Sequence, residues 1–193
     1  MDSKTADSEP PGNRGRSVLA GPSHCRLAPE ALDLVDATGR LSRVQIDDLQ
    51  QHAHAAVAAA LGDRSRDPDH SVRVRIVADV EMADRHWRYS KVAGTTDVLT
   101  FDLAQGASAA RAPLDVDIFI CIDEALRQAH SRGHGVELEL LLYLLHGVLH
   151  CLGEDDHDET AYAAMHERED AILTAIGLPR VFARPAPGDG ERA

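Results

Sequence analysis

His146-Gly147-Val148-Leu149-His150-Cys151-Leu152-Gly153-Glu154-Asp155-Asp156-His157 is the stretch on which the reading of this chain turns. His146 and His150 are four residues apart, which on a helix sets both imidazoles on one face, a turn apart. The run before them, Leu138-Glu139-Leu140-Leu141-Leu142-Tyr143-Leu144-Leu145, is apolar enough to predict a buried helix. Gly153 supplies the left-handed conformation that ends such a helix. The chain then turns back and delivers a third metal ligand, Asp156 or His157. Two histidines plus one ligand leave a coordination position open, the layout of a catalytic rather than a structural zinc. Zinc peptidases carry a Glu directly after the first of the two histidines, as general base. Gly147 stands there, so the usual peptidase base is missing.

Outward from this helix, periodicity sorts the rest of the chain. Val72, Val74 and Ile76 alternate with Arg73 and Arg75, which predicts a half-buried strand. Residues 96–103 and 115–122 read as two further strands, the second apolar enough to be central. Ser42 is placed to cap a helix running to about Leu61, with Leu49, Ala53, Val57 and Leu61 on one stripe. Further helices are expected around Met82–Tyr89 and over Glu124–Arg132, Val136–Leu152 and Asp158–Ile176. The last offers Tyr162, Met165, Ile172 and Ile176 to the core. Residues 36–43, 62–70 and 105–113 read as turns and loops. This order predicts a single α+β domain with one small sheet packed against helices and a metal site at the end of a buried helix. The domain is expected over residues 27–183. Residues 1–26 and 184–193, rich in Pro, Gly and charge, read as disordered tails.

Composition bounds the function. The chain has 193 residues, 44% of them hydrophobic, enough to bury a core. No apolar run approaches membrane-spanning length, and the N-terminus lacks the apolar centre of a secretory signal. Cys25, Cys121 and Cys151 show no ligand spacing and fit the thiols of a reducing cytoplasm, where the chain is expected to reside. Cys151 adjoins His150 but points to another face, so core packing is its expected role. His52 and His54 read as surface residues. The net charge of −12 sits awkwardly with a polyanionic partner, because phosphate contacts carry most nucleic-acid affinity. Such a partner needs a local basic patch, for which Arg85, Arg88, Lys91, Arg127 and Arg132 are the candidates. Trp87, between two of them, is a candidate for base stacking as well as for plain packing.

The segment 146–157 resembles the YbeY family, the metal-dependent endoribonucleases of rRNA maturation, whose motif reads HGxLHLxGxDH. Gly94-Thr95-Thr96-Asp97-Val98-Leu99-Thr100-Phe101 is similar to that family's TDVLSF strand. Leu114-Asp115-Val116-Asp117-Ile118-Phe119-Ile120-Cys121-Ile122 is similar to its GDIxI strand, with Val116 in place of the Gly. All three motifs come in the family's order. The family's third histidine ligand falls on Asp156, and His157 follows it. Asp156 keeps the register and can ligate through oxygen; His157 is the commoner ligand type but needs a one-residue shift of the turn. An Arg that many members carry six residues before the Thr of TDVLSF is Ser90 here, with Arg85, Arg88 and Lys91 near enough to substitute.

The resemblance implies a mixed sheet, with the site in a cleft beside the TDVLTF strand. It implies one Zn2+ held by His146, His150 and Asp156 or His157; nickel or iron would also suit these donors. It implies a single-strand-specific endoribonuclease acting in 16S rRNA 3′-end maturation and ribosome quality control. The partners are then rRNA and the small ribosomal subunit, with no DNA and no membrane. No oligomeric state is implied. Arg85, Arg88, Glu154 and Asp155 are the candidates for catalytic side chains. Glu154, Asp155 and Asp158 are near enough in sequence to orient the ligating histidines, and Asp97 and Asp117 to shape the cleft. Two other classes fit the residues: a metalloprotease with a non-standard base, and a non-catalytic ribosome-assembly factor with a structural metal.

Overall fold

Alternating apolar residues build the sheet. The computed structural model describes residues 27–104 and 112–182. Its strands are β1 (Leu32–Asp36), β2 (Ser71–Val77), β3 (Val98–Asp102) and β4 (Asp115–Cys121). They lie in the order β1-β2-β4-β3, with β1, β2 and β4 parallel and β3 antiparallel to β4. The sheet is therefore mixed, and β4 is central as expected. β1 was not expected from sequence. It presents only Leu32 and Leu34 to the core before the turn at Asp36, too short a pattern to stand out. Val72, Val74 and Ile76 pair in register with Val116, Ile118 and Ile120, which makes one face of the sheet continuously apolar.

Five helices follow among the described residues: α1 (Arg43–Leu61), α2 (Asp79–Ser90), α3 (Ile122–Arg132), α4 (Val136–Cys151) and α5 (Glu159–Ala175). Ser42 caps α1 in a capping box. The Gln45 N–H donates to Ser42 Oγ at 3.3 Å, and the Ser42 N–H donates to Gln45 Oε1 at 2.9 Å. α1 and α4 pack on the apolar face of the sheet, with α3 and α5 beside α4. Leu140 to Leu145 of α4 are all buried, together with Val148 and Leu149, so this helix is enclosed by protein. α2 lies against the other face, where Val77, Met82 and Cys121 form a small second core. The 105–113 loop falls largely outside the described residues, as do both predicted tails and Cys25. No helix among the described residues is long and apolar enough to cross a membrane.

α5 corrects one expectation and adds a surprise. Met165 and Ile172 are buried as predicted, but Tyr162 is 51% exposed; it sits in the first turn, and its ring meets only the edge of His166. The surprise is that the core-facing stripe carries two acids, Glu169 and Asp170, each only 1% exposed. Asp170 Oδ1 accepts from the N–H groups of Val181 at 2.6 Å and Phe182 at 3.2 Å, and Oδ2 accepts from Arg180 Nε at 3.2 Å. It thereby ties the segment after α5 to the domain. Asp170→Ala takes the acceptor from the partly buried Val181 and Phe182 N–H groups and the ion pair from Arg180, and should cost about 1–3 kcal/mol. Urea unfolding should show a lower midpoint at unchanged slope.

Candidate metal centre

The last two turns of α4 carry His146 and His150 on the face predicted by their spacing. Their rings meet edge-on, with Nε2 atoms 3.1 Å apart. α4 then closes in a Schellman turn: the Gly153 N–H donates to His150 O and the Glu154 N–H to Leu149 O, both at 3.0 Å. Gly153 makes this possible by adopting φ +94°. The returning chain brings Asp156 over the histidines, with Oδ2 at 3.7 Å from His146 Nε2 and Oδ1 at 3.7 Å from His150 Nε2. The three groups lie together, each partly exposed, and their ligand atoms fall within 4.8 Å of one another. Tetrahedral bonds of ~2.0–2.1 Å place donor atoms about 3.3 Å apart, so the observed spacings suit one small ion.

Proton placement makes the case for a cation sharper. His146 Nδ1 lies 3.0 Å from Glu169 Oε1, and His150 Nδ1 lies 3.1 Å from the Glu154 carbonyl oxygen. Both partners accept only, so each Nδ1 must donate. A neutral imidazole protonated at Nδ1 has a bare lone pair at Nε2. In that neutral form two lone pairs and a carboxylate converge on one point. Burial by itself lowers the His146 pKa, but the hydrogen bond and charge of Glu169, joined by Asp156 and Asp97, outweigh it and raise the pKa. The site thus attracts positive charge, and its donor set fits a divalent transition metal.

Glu169 is the residue that sequence reasoning missed. Glu154, Asp155 and Asp158 were the acids expected to orient the histidines, and none of their side chains does so. The Glu154 side chain lies 3.4 Å from Arg168, Asp155 pairs with His157, and Asp158 caps α5 through the N–H groups of Thr160 and Ala161. The signal for Glu169 was present: it stands four residues after Met165 and three before Ile172, on the core stripe of α5. An acid there must have a partner in the core.

The remaining candidates are placed as follows. His157 is 83% exposed and turned toward Asp155, outside the histidine pair. Arg85 lies over the Phe119 ring at 3.9 Å and donates to Glu81 at 2.7 Å; Arg88 pairs with Asp84 at 3.1 Å. Both arginines belong to α2, across the sheet from α4. Asp117 pairs with Arg73 on that same outer face, so it does not shape the cleft. Asp97 does. With Thr95, Thr96, Glu124, Gln128, Arg132 and Tyr143 it lines a cleft of about 390 Å³. Neither histidine nor Asp156 lines that cleft. Cys151 is half-buried, and burial pushes its thiol up to about 11, in keeping with packing rather than ligation. A second close group, Asp79, Cys121 and Asp123, is already neutralised: Arg127 grips both oxygens of Asp79, and Arg40 pairs with Asp123.

Gly147 faces the sheet, not the cluster. A Cβ built there would lie 2.4 Å from Thr100 Oγ1, with Ile118 Cδ1 at 3.6 Å. A side chain there forces Thr100 or the helix to shift, because α4 crosses β3 closely at that position.

An α+β domain whose buried helix ends in a His-His-Asp donor group is the class of structure so defined. The sequence model of the endoribonuclease YbeY family matches residues 36–177, and the chain belongs to that family. The endoribonuclease YbeY of Macrococcus caseolyticus is 31% identical over 153 residues, covering 77% of this chain and 97% of its own. That of Renibacterium salmoninarum is 34% identical over 155 residues, covering 78% and 86%. A solution structure from Thermotoga maritima is similar at a TM-score of 0.49 and 20% identity, over 83% of this chain and 99% of that one.

Proposed function

We propose that this chain is a metal-dependent endoribonuclease of single-stranded RNA, acting on 16S rRNA 3′-end maturation in company with the small ribosomal subunit. We place its domain at residues 27–183 and its ligands at His146, His150 and Asp156, with Zn2+ as the ion. One observation carries the reading: each Nδ1 has its own acceptor, Glu169 Oε1 or the Glu154 carbonyl, so both Nε2 atoms and the Asp156 carboxylate face one point. A divalent ion held there supplies a Lewis acid for a phosphoryl oxygen and lowers the pKa of water toward ~7. Three protein donors leave it a free position. The chain's own part is positional. Glu169 and the Glu154 carbonyl hold the protons on the outer nitrogens and so keep both rings aimed inward. Without a cation, Asp156, Asp97 and Glu169 would repel a phosphodiester, which accounts for metal dependence in an acidic protein.

The family match supports RNA rather than peptide as substrate, and Gly147 leaves a metalloprotease without the usual base. A non-catalytic assembly factor remains distinguishable by experiment. Purified wild type should carry about one zinc by mass spectrometry and cut single-stranded RNA until a chelator is added. Asp156→Ala should lose the ion and His157→Ala should keep it. The reverse pattern would move the third ligand to His157. A metal-loaded protein that binds 30S particles without cutting RNA would establish the assembly role instead.

A further inference from the structure

Glu169 does not serve His146 alone. Its second oxygen, Oε2, lies 2.6 Å from Nδ1 of His166, one turn earlier on α5. The carboxylate is buried to 1% exposure, so these two imidazoles are the partners that hold it. The His166 ring is fixed in turn: it stacks on Phe182 at 3.8 Å and 14°, and Tyr162 meets it edge-on at 4.1 Å. Its Nε2 is buried and has no hydrogen-bond partner among the described residues. A mere packing residue would not place a nitrogen there. The ring is anchored by one polar contact, and that contact is with Glu169.

We infer that His166 is a positioning residue for the metal centre, the outer member of a His166–Glu169–His146 chain that aims His146 Nε2 at the ion. The inference rests on the metal reading above. A carboxylate with one oxygen unpaired in a buried site rotates to satisfy it, because an unmet buried acceptor is costly. That rotation loosens the grip of Oε1 on His146 Nδ1. By donating to Oε2, His166 holds the carboxylate in place and keeps Oε1 on His146. Groups that orient a metal-bound histidine typically set metal affinity by 10–100-fold. His166 acts one bond further out, so an effect of about tenfold is expected.

The test uses the full chain stripped of metal and titrated with Co2+ against a chromophoric chelator. His166→Phe keeps a ring against Phe182 and removes the donor. His166→Asn places an amide N–H near the position of Nδ1. Thermal melting of each apo form checks folding. His166→Phe should bind Co2+ about tenfold more weakly with a shifted visible spectrum, and His166→Asn should recover most of the affinity and the wild-type spectrum. Equal affinity and spectrum in wild type and His166→Phe would overturn the chain while leaving the metal centre standing. So would a His166→Asn as weak as His166→Phe with both melting like wild type. A wild type that binds no Co2+ would overturn the metal centre and this inference with it.

Discussion

His150→Ala is expected to lose its metal and more than about a hundredfold in RNA cleavage while remaining folded. A Lewis acid on a phosphoryl oxygen is worth several kcal/mol, and each 1.36 kcal/mol is a factor of ten. The structural cost of the substitution is small. His150 is partly exposed at the end of α4, and its other contact is one hydrogen bond to the Glu154 carbonyl, worth about 1 kcal/mol. His146→Ala is the less informative variant, because it strands Glu169 in the core and confounds metal loss with unfolding. Bound metal, circular dichroism and single-stranded RNA cleavage should be read on the same sample. A folded, metal-free His150→Ala that still cuts at the wild-type rate would end the case for metal-dependent chemistry.

Gly147→Glu, which writes the peptidase motif into this chain, should produce an unstable protein rather than a protease. The added Cβ meets Thr100 Oγ1 at 2.4 Å, and the carboxylate would be forced between α4 and the sheet without a partner. Overpacking costs about 1–3 kcal/mol, and an unpaired buried carboxylate adds to it. A loss of 3 kcal/mol or more, about 6–12 °C in Tm for a domain near this size, is expected. Gly147→Ala isolates the steric part at about 1–3 kcal/mol. Thr100→Ala in the same chain removes the clashing oxygen and should recover much of that loss, which a double-mutant cycle would record as coupling. Additive effects of the two substitutions would mean that α4 and β3 do not approach as closely as described.

Much of this molecule was legible because its signals are local. The i,i+4 histidines, the apolar run before them and Gly153 specify a buried helix, its ligand face and its end. Ser42 and Gln45 specify where α1 begins. The alternation in β2 and the apolar β4 specify two neighbouring strands. β1 escaped because five residues with two inward side chains carry little periodic information. Tyr162 was assigned to the core because spacing along α5 says which face it is on, but not where along the helix the core ends.

What the sequence by itself determined is the helix and its paired histidines: His146 and His150 one turn apart, followed by a turn that returns an oxygen or a nitrogen. Only the tertiary structure decided which residue lies over the histidines, which acid contacts the pair and what a side chain at 147 would meet. Asp156 against His157 depends on the path of a turn. Glu169 reaches His146 only because α5 packs beside α4. Gly147 answers to Thr100 on a strand far away in the chain. A hydrogen bond between neighbours in space follows from packing, and packing is a property of the whole chain rather than of any window within it.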